Sequence, residues 1–311
     1  MDLNLTFLYE TVITMFILVM VGYIFAKAGF LPASFTKKLS DLVCCVAQPF
    51  MIVGAILSIP YSAEDLKTGG LILLLGLFLH GAAAVVAVLA TFKFKDVGER
   101  RISEYACIFA NCGFMGLPVL EALFGNVGRF WGAFYIIAFN CIAWTYGLYI
   151  LSKANPVIKM NPKKILLNYG TVPSIIGLAL YLARISLPAP ILSATNYMGS
   201  LCTPLSMVIT GALLARLPLK SVFLRPKVYY ISAIKLLFLP AAVLALTTLL
   251  QFPTDLRIFS VTIVSLPVAA NSAMFGESYD IQPEYAASLV GLSTLLSVAT
   301  IPLVLNVVKL L

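Results

Sequence analysis

The chain has 311 residues, of which 61% are hydrophobic and 11% are charged, and its formal net charge is +8. Because soluble globular domains are ~45–50% apolar and ~25% charged, this composition excludes a soluble domain and favours a helical membrane protein with several spans. The apolar runs are continuous, which excludes the alternating ~10-residue segments of an outer-membrane barrel.

Ten apolar segments are long enough to cross a bilayer as helices. The first begins shortly after Asp2 and is too long for the apolar core of a signal peptide, so we expect a span and no cleaved leader. The sixth is short and lies between Pro173 and the Pro188/Pro190 pair. The predicted spans are residues 6–26, 38–58, 69–92, 103–124, 130–152, 170–185, 193–215, 228–250, 257–276 and 284–308.

The basic residues fall mainly in alternate connections between these spans. Fifteen lysines and arginines lie in connections 1–2, 3–4, 5–6 and 7–8, against five on the opposite side. The positive-inside rule therefore places the four basic connections in the cytoplasm and both chain termini outside, in a multi-pass protein of the cell (inner) membrane. Since topology accounts for the positive charge, we expect no nucleic-acid partner.

The six cysteines all lie in apolar segments, at positions 44, 45, 107, 112, 141 and 202. We expect them to be buried apolar side chains and neither disulfides nor metal ligands. The sequence has no Gly-x-Ser-x-Gly or His-Glu-x-x-His motif and only one histidine. We therefore expect no enzyme activity, no metal and no cofactor.

Two pairs of short matches relate the two halves of the chain. AQPFMIVGAILS (47–58) resembles CTPLSMVITGALLA (202–215), and GLPVLEALFG (116–125) resembles SLPVAANSAMFG (265–276). These matches pair span 2 with span 7 and span 4 with span 9. Because the offset of five spans is odd, the repeats must be inverted in the membrane, which is typical of secondary transporters. The predicted fold is an all-α polytopic membrane protein of ten transmembrane helices in two inverted five-helix repeats.

Spans 4 and 9 contain helix-breaking residues where a smooth apolar helix is expected. Proline removes a backbone donor and opens the helix, and irregular backbone survives in lipid only where it is buried or lines a cavity. Two broken helices that cross at mid-membrane would present two positive half-helix ends to a small organic anion. A packing kink is the alternative for any single proline, and Pro49, Pro240 and Pro302 lie in other spans.

The candidate site residues follow from these breaks. Carboxamides can donate to a carboxylate and also satisfy freed backbone groups, which favours Asn111 and Asn271. Asn140 in span 5 either lines the same site or bridges helices. The predicted substrate-binding residues are Asn111, Gly113, Asn271, Ser272 and Asn140, and the predicted helix breaks are Gly116, Pro118 and Pro267.

The ionisable residues singled out within predicted spans are Lys235, His80 and Glu121, since burial of a charge there costs at least ~2.5–3.5 kcal/mol and therefore suggests a function. Lys235 would form an ion pair, cap a carbonyl or place a fixed positive charge behind the crossing helices. His80 would allow proton coupling, although a neutral histidine bonded to a carbonyl is favoured. Glu121 either pairs with a basic residue or reaches the interface.

Three kinds of protein are compatible with this pattern. The favoured one is a secondary transporter of a small organic anion, working as a uniporter or with proton coupling. A sodium-coupled carrier of the bile-acid type shares crossed helices, but sodium sites need clustered carboxylates and carbonyls, whereas spans 4 and 9 offer asparagine and serine. A transporter-like ligand sensor would normally carry an additional signalling domain.

Three longer motifs form a set: ANCGFMGLPVLEALFG (110–125) in span 4, NCIAW (140–144) in span 5, and LPVAANSAMFGESYDIQPEYAASLV (266–290) across spans 9 and 10. This set resembles the auxin efflux carrier family, which includes plant auxin exporters and the bacterial malonate transporter group. In span 4 the plant members read Pro-Asn-Thr and then Met-Gly-Ile-Pro. Ala110 and Val268 stand where the plant members have proline and glutamine.

The resemblance implies a scaffold of spans 1, 2, 6 and 7, which would form a homodimer, and a transport domain of spans 3–5 and 8–10 that moves elevator-fashion in the lipid bilayer. A small organic anion would be held where spans 4 and 9 cross, against the scaffold. The implied boundaries are 1–60 and 169–216 for the scaffold, 66–152 and 227–311 for the transport domain, and 153–168 for a short cytoplasmic loop.

Overall fold

The computed structural model describes residues 5–158, 167–217 and 224–310, so half of the predicted 153–168 loop, residues 159–166, lies outside the described residues. The described chain is helical and contains twelve helices. They are α1 Leu5–Lys27, α2 Ala33–Ile56, α3 Ala63–Thr91, α4 Val97–Ile108, α5 Cys112–Phe124, α6 Asn126–Ser152, α7 Thr171–Leu182, α8 Ala189–Arg216, α9 Pro226–Leu249, α10 Thr254–Ser265, α11 Asn271–Ser278 and α12 Pro283–Leu310.

Seven of the described helices are long and apolar enough to cross a membrane, namely α1, α2, α3, α6, α8, α9 and α12. The predicted class of an all-helical, multi-span membrane protein is confirmed. The predicted segments 103–124 and 257–276 are each formed by two shorter helices, α4 with α5 and α10 with α11. The predicted segment 170–185 contains α7, which has only 12 residues.

Several helices contain one wider π-helical turn. These turns are Val43–Ala47, Cys112–Gly116, Ala143–Gly147 and Ile234–Phe238. Three of the four end two residues before a proline, at Pro49, Pro118 and Pro240. Proline lacks an N–H and clashes with the carbonyl four residues earlier, and a wider turn relieves that clash. The helices therefore continue through these prolines.

The helices pack in two groups. In the first, α1 lies along the second half of α8, while α2 contacts α7 and the first half of α8. In the second, α3 packs on α4 and α6, and α12 packs on α9, α10 and α11. The α1–α8 contact depends on glycine, because a Cβ at Gly22 would lie 2.0 Å from the Val208 carbonyl oxygen. The two groups meet where α1 contacts α5 and α12, and where α2 contacts α6.

The cysteines are only partly as expected. All six are free; Cys107, Cys112 and Cys202 are buried, and Cys44 and Cys45 are half-buried. The prediction of a buried side chain is wrong for Cys141, which is exposed on α6. A thiol behaves as a small apolar group, so the outer face of a membrane helix tolerates it as readily as the core does.

Candidate functional site

The two helix breaks contact each other through their backbones. Residues 109–111 separate α4 from α5, and residues 266–270 separate α10 from α11. Ala110 and Val268 form an isolated antiparallel bridge. In it, the Asn111 N–H donates to the Pro267 carbonyl at 2.8 Å, and the Ala269 N–H donates to the Phe109 carbonyl at 3.0 Å. These two bonds satisfy four of the freed backbone groups within the protein, as a membrane interior requires.

A side chain from a third helix completes this arrangement. The Val268 N–H donates to the Ser293 Oγ of α12 at 3.1 Å. The Ser293 hydroxyl in turn donates to the Val290 carbonyl of its own helix at 3.1 Å. Val268 and Ser293 are both fully buried. The second break is therefore fixed from both sides, by the first break and by α12.

The first turns of α5 and α11 converge on one small cavity of about 20 Å³. Three N–H groups in these turns, those of Phe114, Ala270 and Asn271, have no acceptor among the described residues. Unpaired N–H groups at a helix start carry the positive end of the helix dipole, roughly half a charge per helix. The cavity is lined by Gln48, Met51, Ala110, Asn111, Cys112, Gly113, Phe114, Ile136, Phe139, Ala269, Ala270 and Asn271.

Three of the predicted substrate-binding residues, Asn111, Gly113 and Asn271, line this cavity. The Asn111 side chain is only 4% exposed and makes no hydrogen bond to another described residue. Ser272 follows Asn271 in α11; it is fully buried, and its Oγ also lacks a described partner. The breaks therefore bring together two carboxamides, one hydroxyl and two helix starts.

Asn140 lies elsewhere. It lines a separate cavity of about 80 Å³ between α6 and α7 and packs against Gly170, where an added Cβ would lie 2.2 Å from the Asn140 Nδ2. The Asn140 Nδ2 has no hydrogen-bond partner among the described residues. Of the two roles considered for this residue, its position matches a contact between helices.

The prediction that the fourth span breaks at Gly116 or Pro118 is wrong, because both residues lie inside α5. The break is at residues 109–111, where pairing with the second break replaces the helical hydrogen bonds. Gly116 instead allows close packing, since a Cβ there would lie 2.8 Å from the Leu266 Cδ1. Pro267 lies within the second break, and its carbonyl accepts the Asn111 N–H.

Pro118 creates a contact between the two helix groups. Its missing N–H leaves the Phe114 carbonyl, four residues earlier, without its α-helical partner. The Thr203 hydroxyl of α8 donates to that carbonyl at 2.9 Å. A hydrogen bond thus joins the first turn of α5, which lines the cavity, to the helix group of α1, α2, α7 and α8.

Lys235 lies in the wider turn of α9 and is 1% exposed. Its Nζ donates to the Cys107 carbonyl at 3.2 Å. Cys107 is in the last turn of α4, where helix carbonyls have no partners of their own and carry partial negative charge. Lys235 therefore caps the half-helix that ends at the first break.

His80 is buried in α3 beside the first break. Its Nδ1 lies 2.7 Å from the Gly76 carbonyl and must donate, while its Nε2 has no partner among the described residues. The imidazole ring packs against Phe109 and Tyr135, with centroid distances of 5.6 and 5.2 Å. Glu121, in contrast, is exposed at the far end of α5, where it lies 3.7 Å from Arg129.

Three residues that the sequence did not single out belong to the site or support it. Gln48 of α2 lines the cavity, and Thr203 binds the Phe114 carbonyl. Glu104 of α4 is buried, and its carboxylate accepts from Arg101 at 2.6 Å and from Arg100 at 3.1 Å. The ion pairs of Glu104 could have been predicted from the sequence, because arginines three and four residues earlier lie on the same face of the helix.

The cavity volume limits what the observed conformation holds. A volume of about 20 Å³ has room for about one water molecule and none for an organic ion. Gln48 and Met51 belong to α2, whereas most of the other lining residues belong to the breaks and to α6. An organic ion therefore requires these lining residues to move apart.

Comparison with known proteins shows similarity along nearly the whole chain. A family model described as "Membrane transport protein" matches residues 7–162 and 154–305. A protein of Methanothermobacter thermautotrophicus named "Uncharacterized transporter" is 27% identical, over 94% of this chain and 96% of the relative. A Rhizobium meliloti protein named "Putative malonate transporter" is 24% identical, over 96% of this chain and 95% of the relative.

Proposed function

Because the chain belongs to the auxin efflux carrier family of membrane transport proteins, we propose that it is a secondary transporter of a small organic anion, a mono- or dicarboxylate. The protein is a membrane transporter and not an enzyme. The observation that carries the proposal is the convergence of the α5 and α11 starts on one cavity, with three unpaired N–H groups and two asparagines.

The chemistry of these groups suits a carboxylate. A carboxylate offers two oxygens with about four lone-pair sites and accepts hydrogen bonds only. The unpaired N–H groups and the amide groups of Asn111 and Asn271 supply donors, and the positive ends of two helix dipoles lie at the cavity. No Lys or Arg lines the cavity, so the site attracts an anion without holding a full cation among its lining residues.

We propose an elevator-type mechanism in which α3–α6 and α9–α12 move against a scaffold of α1, α2, α7 and α8. The packing of the helices in these two groups supports this division. The position of the cavity between the breaks and α2 supports a substrate that is held at their boundary. Inverted five-helix repeats, with both termini outside the cytoplasm, would let one group rock symmetrically against the other.

We also propose that the scaffold forms a homodimer. An apolar groove of about 520 Å³ lies on the outer side of α2, α7 and α8. Several large apolar side chains there are exposed, including Phe50 at 40% and Ile191 at 53%. A second copy packed on this face would keep the scaffold still while the other helices move.

The proposal is tested by thermal stability in detergent. The purified protein is heated with malonate, acetate, indole-3-acetate, amino acids and cationic amines. A ligand at 100 times its dissociation constant stabilises by ~2.7 kcal/mol, so a carboxylate that binds should raise Tm clearly. The shift should be lost in Asn111→Ala and kept in Asn140→Ala, which alters an amide outside the cavity. Stabilisation by amines or neutral compounds alone would contradict an anion site.

A further inference from the structure

Lys235 is a buried cation without a described counter-ion. The described residues form five ion pairs, and Lys235 belongs to none of them. An ammonium group has three N–H donors, and one of them is used by the Cys107 carbonyl. Burial of an unpaired charge in a membrane protein is costly and is kept where it serves a function.

The position of Lys235 couples it to the cavity. The carbonyl that it binds belongs to the last turn of α4, two residues before the first break. Ala110 and Asn111, three and four residues after Cys107, line the cavity. The charge of Lys235 therefore acts on the cavity through buried protein, where screening by water is weak.

Lys235 adds a positive charge that the other groups at the paired breaks do not offset. Two helix starts contribute about +0.5 each, and the ends of α4 and α10 contribute about −0.5 each, so the four helix ends cancel. His80 donates its Nδ1 hydrogen to a carbonyl and is counted in its neutral form. The ion pairs of α4 and α5 each include a partly exposed side chain, which solvent screens, and they are left out of this total: Glu104 with Arg100 and Arg101, Glu99 with Lys227, and Glu121 with Arg129. Lys235 leaves the paired breaks with one net positive charge.

We propose that Lys235 sets the charge selectivity of the cavity, which takes an anion with one net negative charge in preference to a dianion or a neutral analogue. The ligand class is a monocarboxylate, or a dicarboxylate of which one acid group is protonated or masked. Lys235 is a positioning residue for this selectivity, since it does not line the cavity itself. The inference rests on the proposed function and narrows its substrate class.

The test compares three probes of nearly equal size at one neutral pH: malonate as a dianion, malonamate as a monoanion and malonamide as a neutral compound. Indole-3-acetate and indole-3-acetamide form a second matched pair. Dissociation constants are measured by calorimetry for the full-length protein. The wild type should bind malonamate at least roughly tenfold more tightly than malonate or malonamide, and indole-3-acetate more tightly than its amide.

Two substitutions separate the charge of Lys235 from its hydrogen bond. Lys235→Gln keeps a donor for the Cys107 carbonyl and removes the charge, whereas Lys235→Met removes both. Both should weaken binding of the monoanions by about tenfold while binding of the amides stays the same. Lys93→Gln is the matched control, because Lys93 is an exposed lysine just after α3 that belongs to none of the described ion pairs.

The outcomes separate this inference from the proposed function. If the wild type binds malonate as tightly as malonamate, or if Lys235→Gln keeps full preference for the anions, the inference is overturned while an anion site remains. If no carboxylate binds at all, the proposed function fails together with it. Should both Lys235 variants fail to fold, the wild-type comparison of malonate, malonamate and malonamide decides alone.

Discussion

Pro118 illustrates how one residue in a membrane helix acts on another helix. Its missing N–H frees the Phe114 carbonyl, which the Thr203 hydroxyl satisfies at 2.9 Å. Because Phe114 also lines the cavity, this contact lies at the boundary that a moving transport group would have to cross. The wider turn Cys112–Gly116 lets α5 accommodate the proline without breaking.

Thr203→Val should lower the free energy of unfolding by about 1 kcal/mol, because it leaves the Phe114 carbonyl without a donor while keeping the shape of the side chain. The measurement is Tm or chemical denaturation in detergent. Thr203→Ser retains the hydroxyl and should stay close to the wild type. Equal stability of the valine and serine variants would show that the hydrogen bond contributes nothing.

Asn111 and Asn271 could be found from the sequence because a carboxamide beside glycine or proline is conspicuous in an apolar segment. Gln48 and Thr203 could not, since their importance depends on which helix faces the breaks. The position of the first break could not be predicted from the sequence either. Residues 109–111 include neither proline nor glycine, and their conformation is fixed by pairing with Pro267 and Ala269.

The half-helices depend on both of their ends. Asp96 caps the start of α4, since its carboxylate accepts the Glu99 N–H at 2.7 Å. At the other end of α4, the Lys235 ammonium donates to the Cys107 carbonyl. Between them the buried Glu104 carboxylate binds Arg100, Arg101 and the Thr91 hydroxyl of α3. These contacts hold this 12-residue helix in place, although it ends inside the protein at the first break.

Glu104→Gln should destabilise the protein by roughly 3 kcal/mol, at the lower end of the range for breaking buried pairs, because both arginines are partly exposed. The measurement is again thermal or chemical unfolding. Glu64→Gln is the control, since Glu64 begins α3 as an exposed residue and belongs to none of the described ion pairs. A Glu104 variant as stable as its Glu64 counterpart would show that the buried carboxylate is not needed.

The sequence predicted the two interrupted segments because their composition departs locally from that of a simple span. It did not predict the wider turns, which depend on how a continuous helix adjusts around Pro49, Pro118 and Pro240. The second half of each interrupted segment, α5 and α11, is too short to cross a membrane alone. The contact between the breaks, which brings α5 and α11 together, depends on the folded structure.

For the whole molecule, the proposed mechanism requires the two helix groups to move relative to each other. Cys44 of α2 and Met274 of α11 lie on opposite sides of this boundary, with 3.9 Å between their sulfur atoms. This contact allows a cross-link that uses the native Cys44. The same boundary includes the cavity, so a cross-link there would also keep the cavity at its small volume.

In Met274→Cys, a short bifunctional thiol reagent should join residue 274 to Cys44 and abolish transport in reconstituted vesicles. The physical reason is that a covalent link prevents α11 from moving past α2. Cys44→Ser combined with Met274→Cys lacks one thiol and should keep its activity after the same treatment. Full activity of the cross-linked protein would rule out relative motion at this boundary.

The most direct measurement is uptake of a radiolabelled carboxylate, chosen as the compound that stabilises the protein most, into vesicles that contain the purified protein. Asn111→Ala and Asn271→Ala should each lower uptake roughly tenfold or more, because each removes an amide from the cavity, while Asn140→Ala transports normally. Undiminished uptake by both cavity variants, with the same dependence on substrate concentration as the wild type, would contradict transport through the paired breaks.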